Sequence, residues 1–273
     1  MSADPFRDIV KQYAHLYRES EEARIASFEK KVKRLSGVEK QNEIYLKALE
    51  APQNIMKIKV YNDPTVRNWV SSDLHLGHKQ PFIWQKRGYN SVTEHDDAVI
   101  NKINELIAPE DNFWYLGDFC LNTDETQFES YLSRINCQNI HLIWGNHPNP
   151  LKKIYYRETS KTYSAGVDVY PFRYKKINFI GYQYECVIHG KYVVMNHFPL
   201  TIWENMKEGS YMLCGHSHYS YPGSRAEAQE GLILDCGWDG HARPLLFTEI
   251  VDIMNKKSIR QVDHHVKERP DFF

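Results

Sequence analysis

The spacing of apolar residues divides the chain into two textures. In the first fifty residues Phe6, Ile9, Val10, Tyr13, Leu16 and Tyr17 recur at steps of three or four, the mark of an amphipathic helix. Ile25, Phe28, Val32 and Leu35 repeat that step until Ser36-Gly37 stops it, and a third helix fits Glu39 to Leu49, ended near Pro52. This predicts a helical extension over 1–54, packed on the main domain or joining two copies into a homo-oligomer. A partner- or substrate-recruiting arm is the sharper alternative. From about Ile55 short β-rich runs alternate with helical patterns. Val66–Ser71, Asn112–Leu116 and Asn139–Trp144 read as strands. Between them lie a helix opened by Thr93-Glu94-His95-Asp96, with Ala98, Val99, Ile103, Leu106 and Ile107 on one face, and another from Gln127 to Ile135. Strand, helix, strand, helix, strand implies parallel βαβ units and a layered α/β fold over 55–254. Further strands are predicted at Glu185–Ile188, Tyr192–Asn196, Tyr211–Cys214, Leu232–Cys236 and Leu246–Val251, with a hairpin turn at His189-Gly190-Lys191. Residues 255–273 read as a polar tail.

Composition narrows the picture. A length of 273 residues suits one large α/β domain or two small ones, and 42% hydrophobic with 13% aromatic residues excludes a mostly disordered chain. Lys plus Arg is 34 against 35 Asp plus Glu, a formal charge of −1, which argues against a broad basic surface holding extended duplex nucleic acid. The run Lys30-Lys31-Val32-Lys33-Arg34 reads as the solvated face of a helix. No apolar run reaches the roughly 18 residues of a membrane span, and the start lacks a basic segment followed by an apolar one. Five cysteines, odd in number and without a CxxC pair, fit a reduced, cytoplasmic protein. The 13 histidines stand out, because many of them fall where the predicted strands end.

Five clusters end the predicted strands: Ser72-Asp73-Leu74-His75-Leu76-Gly77-His78, Gly117-Asp118, Gly145-Asn146-His147, Asn196-His197-Phe198-Pro199 and Gly215-His216-Ser217-His218. Carboxyl ends of strands in open α/β sheets share one crevice, so clusters far apart in sequence can converge. Carboxylates and imidazoles with an amide oxygen suit first-row divalent metals. Asp-x-His in an extended segment places both side chains on one side, and His216-Ser217-His218 repeats that spacing. Six or seven such ligands exceed what one ion takes from protein, and two ions bridged by a carboxylate fit better.

This ordered set, D-x-H, GD, GNH, a lone His and GH-x-H, resembles the calcineurin-like metallophosphoesterase superfamily over roughly Val66 to Ile250. The wording DLHLGH, GDF, GNH, NHFPL, GHSH and LDCGWD is similar to its small prokaryotic and phage phosphoesterases. The resemblance implies an α/β fold built as a two-sheet β-sandwich flanked by helices. It implies that Asp73, His75 and His218 hold one metal and Asn146, His197 and His216 the other. Asp118 would bridge them, and His147 would face the scissile phosphate. Mn²⁺ is the favoured ion, with Fe, Zn, Ni or Mg as alternatives. The activity implied is hydrolysis of a phosphodiester or nucleotide-type substrate by attack of a metal-bound hydroxide, with His147 protonating the leaving oxygen. The alternatives are a phosphomonoesterase of small metabolites and a non-catalytic metal-binding module.

Two departures refine this. Pro148 follows GNH where relatives usually carry an acid that supports the histidine. Phe119-Cys120-Leu121 follows Gly117-Asp118, without the aspartate of the protein phosphatase branch. Other residues carry lesser expectations. His78, Arg225 and Arg243 are candidates for substrate contact, His78 reading as rim or supporting shell and the arginines as phosphate clamps or surface charges. Cys120 reads as a small buried hydrophobe. The tyrosines from Tyr155 to Tyr184 read as packing, with base stacking the minority alternative, and His264-His265 as a solvent-exposed pair.

Overall fold

The computed structural model describes residues 58–121, 123–147, 174 and 176–260. The helices expected over 1–54, Tyr155, Tyr156, Tyr163, Tyr170 and His264-His265 lie outside the described residues. Among the described residues ten strands form two sheets of five. Strands β1 (Lys59–Tyr61) and β2 (Asn68–Ser71) come first, followed by helices α1 (Pro81–Trp84) and α2 (Val92–Leu106). Strand β3 (Asn112–Tyr115), helix α3 (Glu125–Arg134) and strand β4 (Asn139–Ile143) complete the βαβ series. Then come β5 (Ile177–Gly181), β6 (Gln183–Ile188), β7 (Lys191–Asn196), β8 (Tyr211–Cys214) and β9 (Ile233–Asp235). Helix α4 (Trp238–His241), strand β10 (Leu245–Leu246) and helix α5 (Phe247–Met254) close the described domain.

One sheet runs β10-β2-β3-β4-β5, parallel except at its β10 edge. The other runs β1-β6-β7-β8-β9 and is mixed, because β6 and β7 form a hairpin. That hairpin turns on His189 and Gly190 at φ 44° and 77°, the paired positive φ of a type I′ turn, as the sequence predicts. Alternation along the strands builds two apolar layers. Val70, Trp114, Leu116 and Ile143 meet Cys186, Val193, Met195 and Leu213 of the other sheet, with Phe247, Ile250 and Met254 of α5 at the margin. Trp69, Phe113, Tyr115 and Leu142 point the opposite way, onto Val99, Ile100 and Ile103 of α2 and Phe128 and Leu132 of α3. Burial on both faces is what a parallel sheet requires.

The α/β sandwich flanked by helices is as the resemblance implies. Strands β1 and β5 are additional to the expected ones, and one expected element takes another form. Leu246–Val251, expected as a strand, is a two-residue strand followed by helix α5. Its β-branched content mimics a strand, but the buried residues Phe247, Ile250 and Met254 follow a helical step, and Glu249 accepts from the Leu246 amide at 2.9 Å to cap it.

Candidate metal centre

The five motif loops follow the carboxyl ends of β2, β3, β4, β7 and β8, and the structure brings their side chains to one cluster. The strands stop short of the ligands. β2 ends at Ser71, so Asp73 and His75 are not alternate residues of a pleat. Both stand in the left-handed region at φ 56° and 54°, as do Asp118 at 57°, His216 at 66° and His218 at 48°. The expected period-two explanation for D-x-H and H-x-H is therefore replaced by consecutive left-handed turns. Asn, Asp and His tolerate that region better than most side chains.

Hydrogen bonds hold these turns from both sheets. The amides of Asp73 and His75 donate to the carbonyls of Gly117 and Asp118, and the His216 amide donates to Asp73 Oδ2 at 2.9 Å. Asp235, fully buried at the end of β9, accepts from the amides of Gly237 and Tyr219 and from the Ser217 hydroxyl. A Cβ added at Gly117 would run into His197, at Gly145 into Asp118, and at Gly215 into Ser72 and Asp73. Those glycines are needed for close approach.

The donor atoms fall into overlapping groups. Ligand atoms of Asp73, His75 and His218 lie within 4.8 Å of one another, with the two Nε2 atoms of His75 and His218 at 3.2 Å. On the other flank Asn146 Oδ1 is 2.8 Å from His197 Nε2 and 3.0 Å from His216 Nδ1. Asp118 Oδ2 stands between, 3.9 Å from His75 Nε2 and 3.4 Å from His197 Nε2. His197 donates its Nδ1 proton to the Leu116 carbonyl at 2.8 Å, so the neutral imidazole, the form that binds a metal, carries its lone pair on Nε2, turned toward the cluster.

These residues fit a cation on a direct observation. Asp73 Oδ1 is buried and has no hydrogen-bond partner among the described residues. Burial pushes the Asp73 carboxyl up to about 6 against the pull of His197 and His218, with Asp118 and Asp235 adding to the push. Burial holds His75 well below the ordinary imidazole value. Burial would also raise Asp118, but bonding and charge from His197, with His75 and His147, keep it below the usual carboxylate range. A buried, partnerless carboxylate oxygen facing imidazole lone pairs is a place for positive charge.

His147 sits on the open side. Its ring is 38% exposed, Nε2 is 3.7 Å from Asp118 Oδ2, and its amide donates to Asp118 Oδ1 at 3.2 Å. His78 is not at the rim. It is buried, bonded through Nδ1 to the Gln80 carbonyl, and packed between the rings of His75 and Phe82. Arg225 and Arg243, read as phosphate clamps or surface charges, make bonds within the protein. Arg225 donates to the carbonyls of Tyr219 and Ser220, and Arg243 pairs with Glu249. Cys120 is buried, its thiol pushed up to about 12 by that burial.

With this geometry in place, comparison with known proteins is decisive. Residues 66–220, more than half of the chain, match the model of the calcineurin-like phosphoesterases. The chain belongs to that family. Together with the clustered ligand atoms, this makes it a metal-dependent phosphoesterase. It is 25% identical over 201 residues to the Gene 66 protein of Mycobacterium phage L5, covering 68% of this chain and 93% of that one. The Gene 66 protein of Mycobacterium phage D29 is 26% identical over 167 residues, covering 55% and 77%. A solved structure, a protein of unknown function from Aquifex aeolicus, aligns with a TM-score of 0.47 at 16% identity, over 69% of this phosphoesterase and 99% of its own chain. No helix among the described residues is long and apolar enough to cross a membrane.

One residue that supports the cluster carries no motif signal. Arg87 and Asp239 are 152 positions apart yet form a buried pair directly behind the cluster. Asp239 closes the LDCGWD run, but nothing local in sequence marks its partner.

Proposed function

We propose that this phosphoesterase uses two divalent ions to hydrolyse a phosphodiester, with a nucleotide-type substrate the favoured class. The observation that carries the dinuclear reading is the placement of Asp118 Oδ2 between two ligand groups, within 4 Å of an imidazole nitrogen of each. Asp73, His75 and His218 would hold one ion and Asn146, His197 and His216 the other, with Asp118 shared. Mn²⁺ is the ion proposed for both. Such ions supply a Lewis acid for phosphate oxygens and an acidified water. The chain's own residues do the rest. His197 is fixed as a lone-pair donor by its bond to Leu116. His147, exposed beside the cluster, protonates the leaving oxygen.

Two features favour a diester over a monoester. All five N–H donors of Arg87, the buried guanidinium behind the cluster, are taken by protein groups, so it does not meet the second charge of a monoester dianion. An exposed phenyl ring borders two ligand histidines, Phe198 at 4.6 Å from His216 and 5.1 Å from His197, and offers an apolar wall to a base or aryl leaving group. The test is hydrolysis of bis-p-nitrophenyl phosphate against p-nitrophenyl phosphate, with Mn²⁺ and after chelation, followed by a nucleotide and cyclic-nucleotide panel. A faster, chelator-sensitive diester reaction is expected. A preference for the monoester overturns the substrate assignment, and no metal-dependent turnover of any phosphoester favours a binding module.

A further inference from the structure

Arg87 lies in the turn after α1, outside every motif loop, and all five of its N–H donors are spent on one task. Nε and Nη2 grip the two oxygens of Asp239 at 3.2 and 2.7 Å. Nη2 also donates to the Asp73 carbonyl at 2.8 Å, and Nη1 to the Leu74 carbonyl at 2.9 Å. The remaining Nη1 proton goes to His95 Nε2 at 2.9 Å. The guanidinium is 5% exposed, and Asp239 is 10% exposed. Asp239 Oδ2 in turn accepts the Nδ1 proton of His218 at 2.6 Å. That bond fixes the His218 tautomer and leaves its Nε2 lone pair facing His75 Nε2.

The arrangement has a foundation in α2. His95 donates from Nδ1 to Asp96 at 2.9 Å, and Asp96 also accepts from the Gly77 amide and the Tyr131 hydroxyl. Two buried polar residues on an otherwise apolar helix face, conspicuous in sequence as His95-Asp96, are thereby accounted for. They seat the guanidinium rather than touch the cluster.

We infer that the Arg87–Asp239 couple is a positioning device for one ion position only. It grips the backbone of the Asp73–His75 turn with one edge and, through Asp239, aims the His218 imidazole with the other. All three side chains of that group are thus set by one buried cation. The Asn146, His197 and His216 group makes no direct contact with the couple; within it His197 takes its orienting bond from Leu116 and the His216 amide bonds to Asp73. The inference rests on the two-ion reading of the site.

The test is titration of the metal-free protein with Co²⁺ alone, following visible absorbance and bound metal per chain, in wild type, Asp239→Asn and Asp239→Glu. An asparagine nitrogen cannot accept from Arg87 or from His218, whereas glutamate keeps the carboxylate. The expected result is two ions per wild-type chain, and in Asp239→Asn one position weakened 10- to 100-fold while the other is unchanged. Asp239→Glu should restore part of the loss. Because removing one partner of a buried ion pair can unfold a chain, the neutral double variant Arg87→Gln/Asp239→Asn is titrated alongside and should show the same selective loss. Glu249→Gln, which breaks the Arg243 pair away from the cluster, should leave both positions intact. Two unaltered positions in folded Asp239→Asn or in the double variant overturn the inference. Equal weakening of both positions does so as well. A wild-type chain that binds fewer than two ions instead overturns the reading of the site on which it rests.

Discussion

Replacing His147 by alanine separates proton transfer from metal binding. The amide of residue 147 donates to Asp118 Oδ1 at 3.2 Å, and that bond survives the substitution, so the loop carrying Asn146 keeps its seat. The ring is 38% exposed, so its removal should change stability by no more than about 0.5 kcal/mol. What disappears is the group that protonates the leaving oxygen, typically about 10²- to 10⁴-fold in rate, or about 2.7–5.5 kcal/mol of barrier. That loss should depend on the leaving group. Aryl diesters whose phenols are strongly acidic need little help, so turnover of a dinitrophenyl ester should fall only a few-fold while that of an unsubstituted phenyl ester falls in full. The assay is kcat against leaving-group acidity for both chains, with bound metal measured on the same samples. An equal loss across the series refutes the acid role. Loss of an ion refutes it differently, since ligand atoms of His75, Asp118 and His147 also lie within 4.8 Å of one another and would then form a binding position.

Three further perturbations have definite expected outcomes. Gly145→Ala forces a Cβ to within 2.5 Å of the Asp118 amide nitrogen, so it should abolish activity and lower stability by about 1–3 kcal/mol, more than the strain of about 1 kcal/mol expected for Gly88→Ala, which faces open space; equal unfolding midpoints in urea would contradict this. His141 is fully buried and stacked on Trp114 at 3.9 Å, and burial depresses its imidazole to about 3. The unfolded chain therefore takes up the extra proton first, and stability falls as pH drops from about 6.5 towards 3. Between pH 7 and 5 wild type should lose about 2 kcal/mol more than His141→Phe in urea titrations, and parallel curves would exclude the effect. Chelation should lower the melting temperature, because an ion present at 100 times its Kd contributes about 2.7 kcal/mol, or about 5–10 °C for a domain of this size; an unchanged midpoint would mean that no ion is bound at rest.

The strand–helix alternation from Asn68 to Ile143 is legible in the sequence because long, periodic segments such as α2 bury one face whatever surrounds them. Leu246–Val251 is not, since a β-branched run of this length satisfies strand and helix patterns equally until the capping bond from Glu249 is seen. The ligand types are readable residue by residue, but pleating, the simplest account of their convergence, is not its cause; left-handed turns are. Period two and successive turns leave the same D-x-H spacing in a sequence. Arg87 carries no signal at all: a guanidinium that gathers Asp73, Leu74, His95 and Asp239 is defined by tertiary approach alone.

Those left-handed turns also constrain how the site can decay. Five of the seven proposed ligands hold a backbone conformation that most side chains enter only at a cost of order 1–3 kcal/mol. A lineage released from catalysis can discard the chemistry while the turns remain, and glycine and asparagine are the replacements that keep the turns. Sibling chains with Gly or Asn at 73, 75, 118, 216 or 218 are thus expected to be retired enzymes on an intact scaffold. A valine or isoleucine at the same places would mean that the loop itself has been rebuilt.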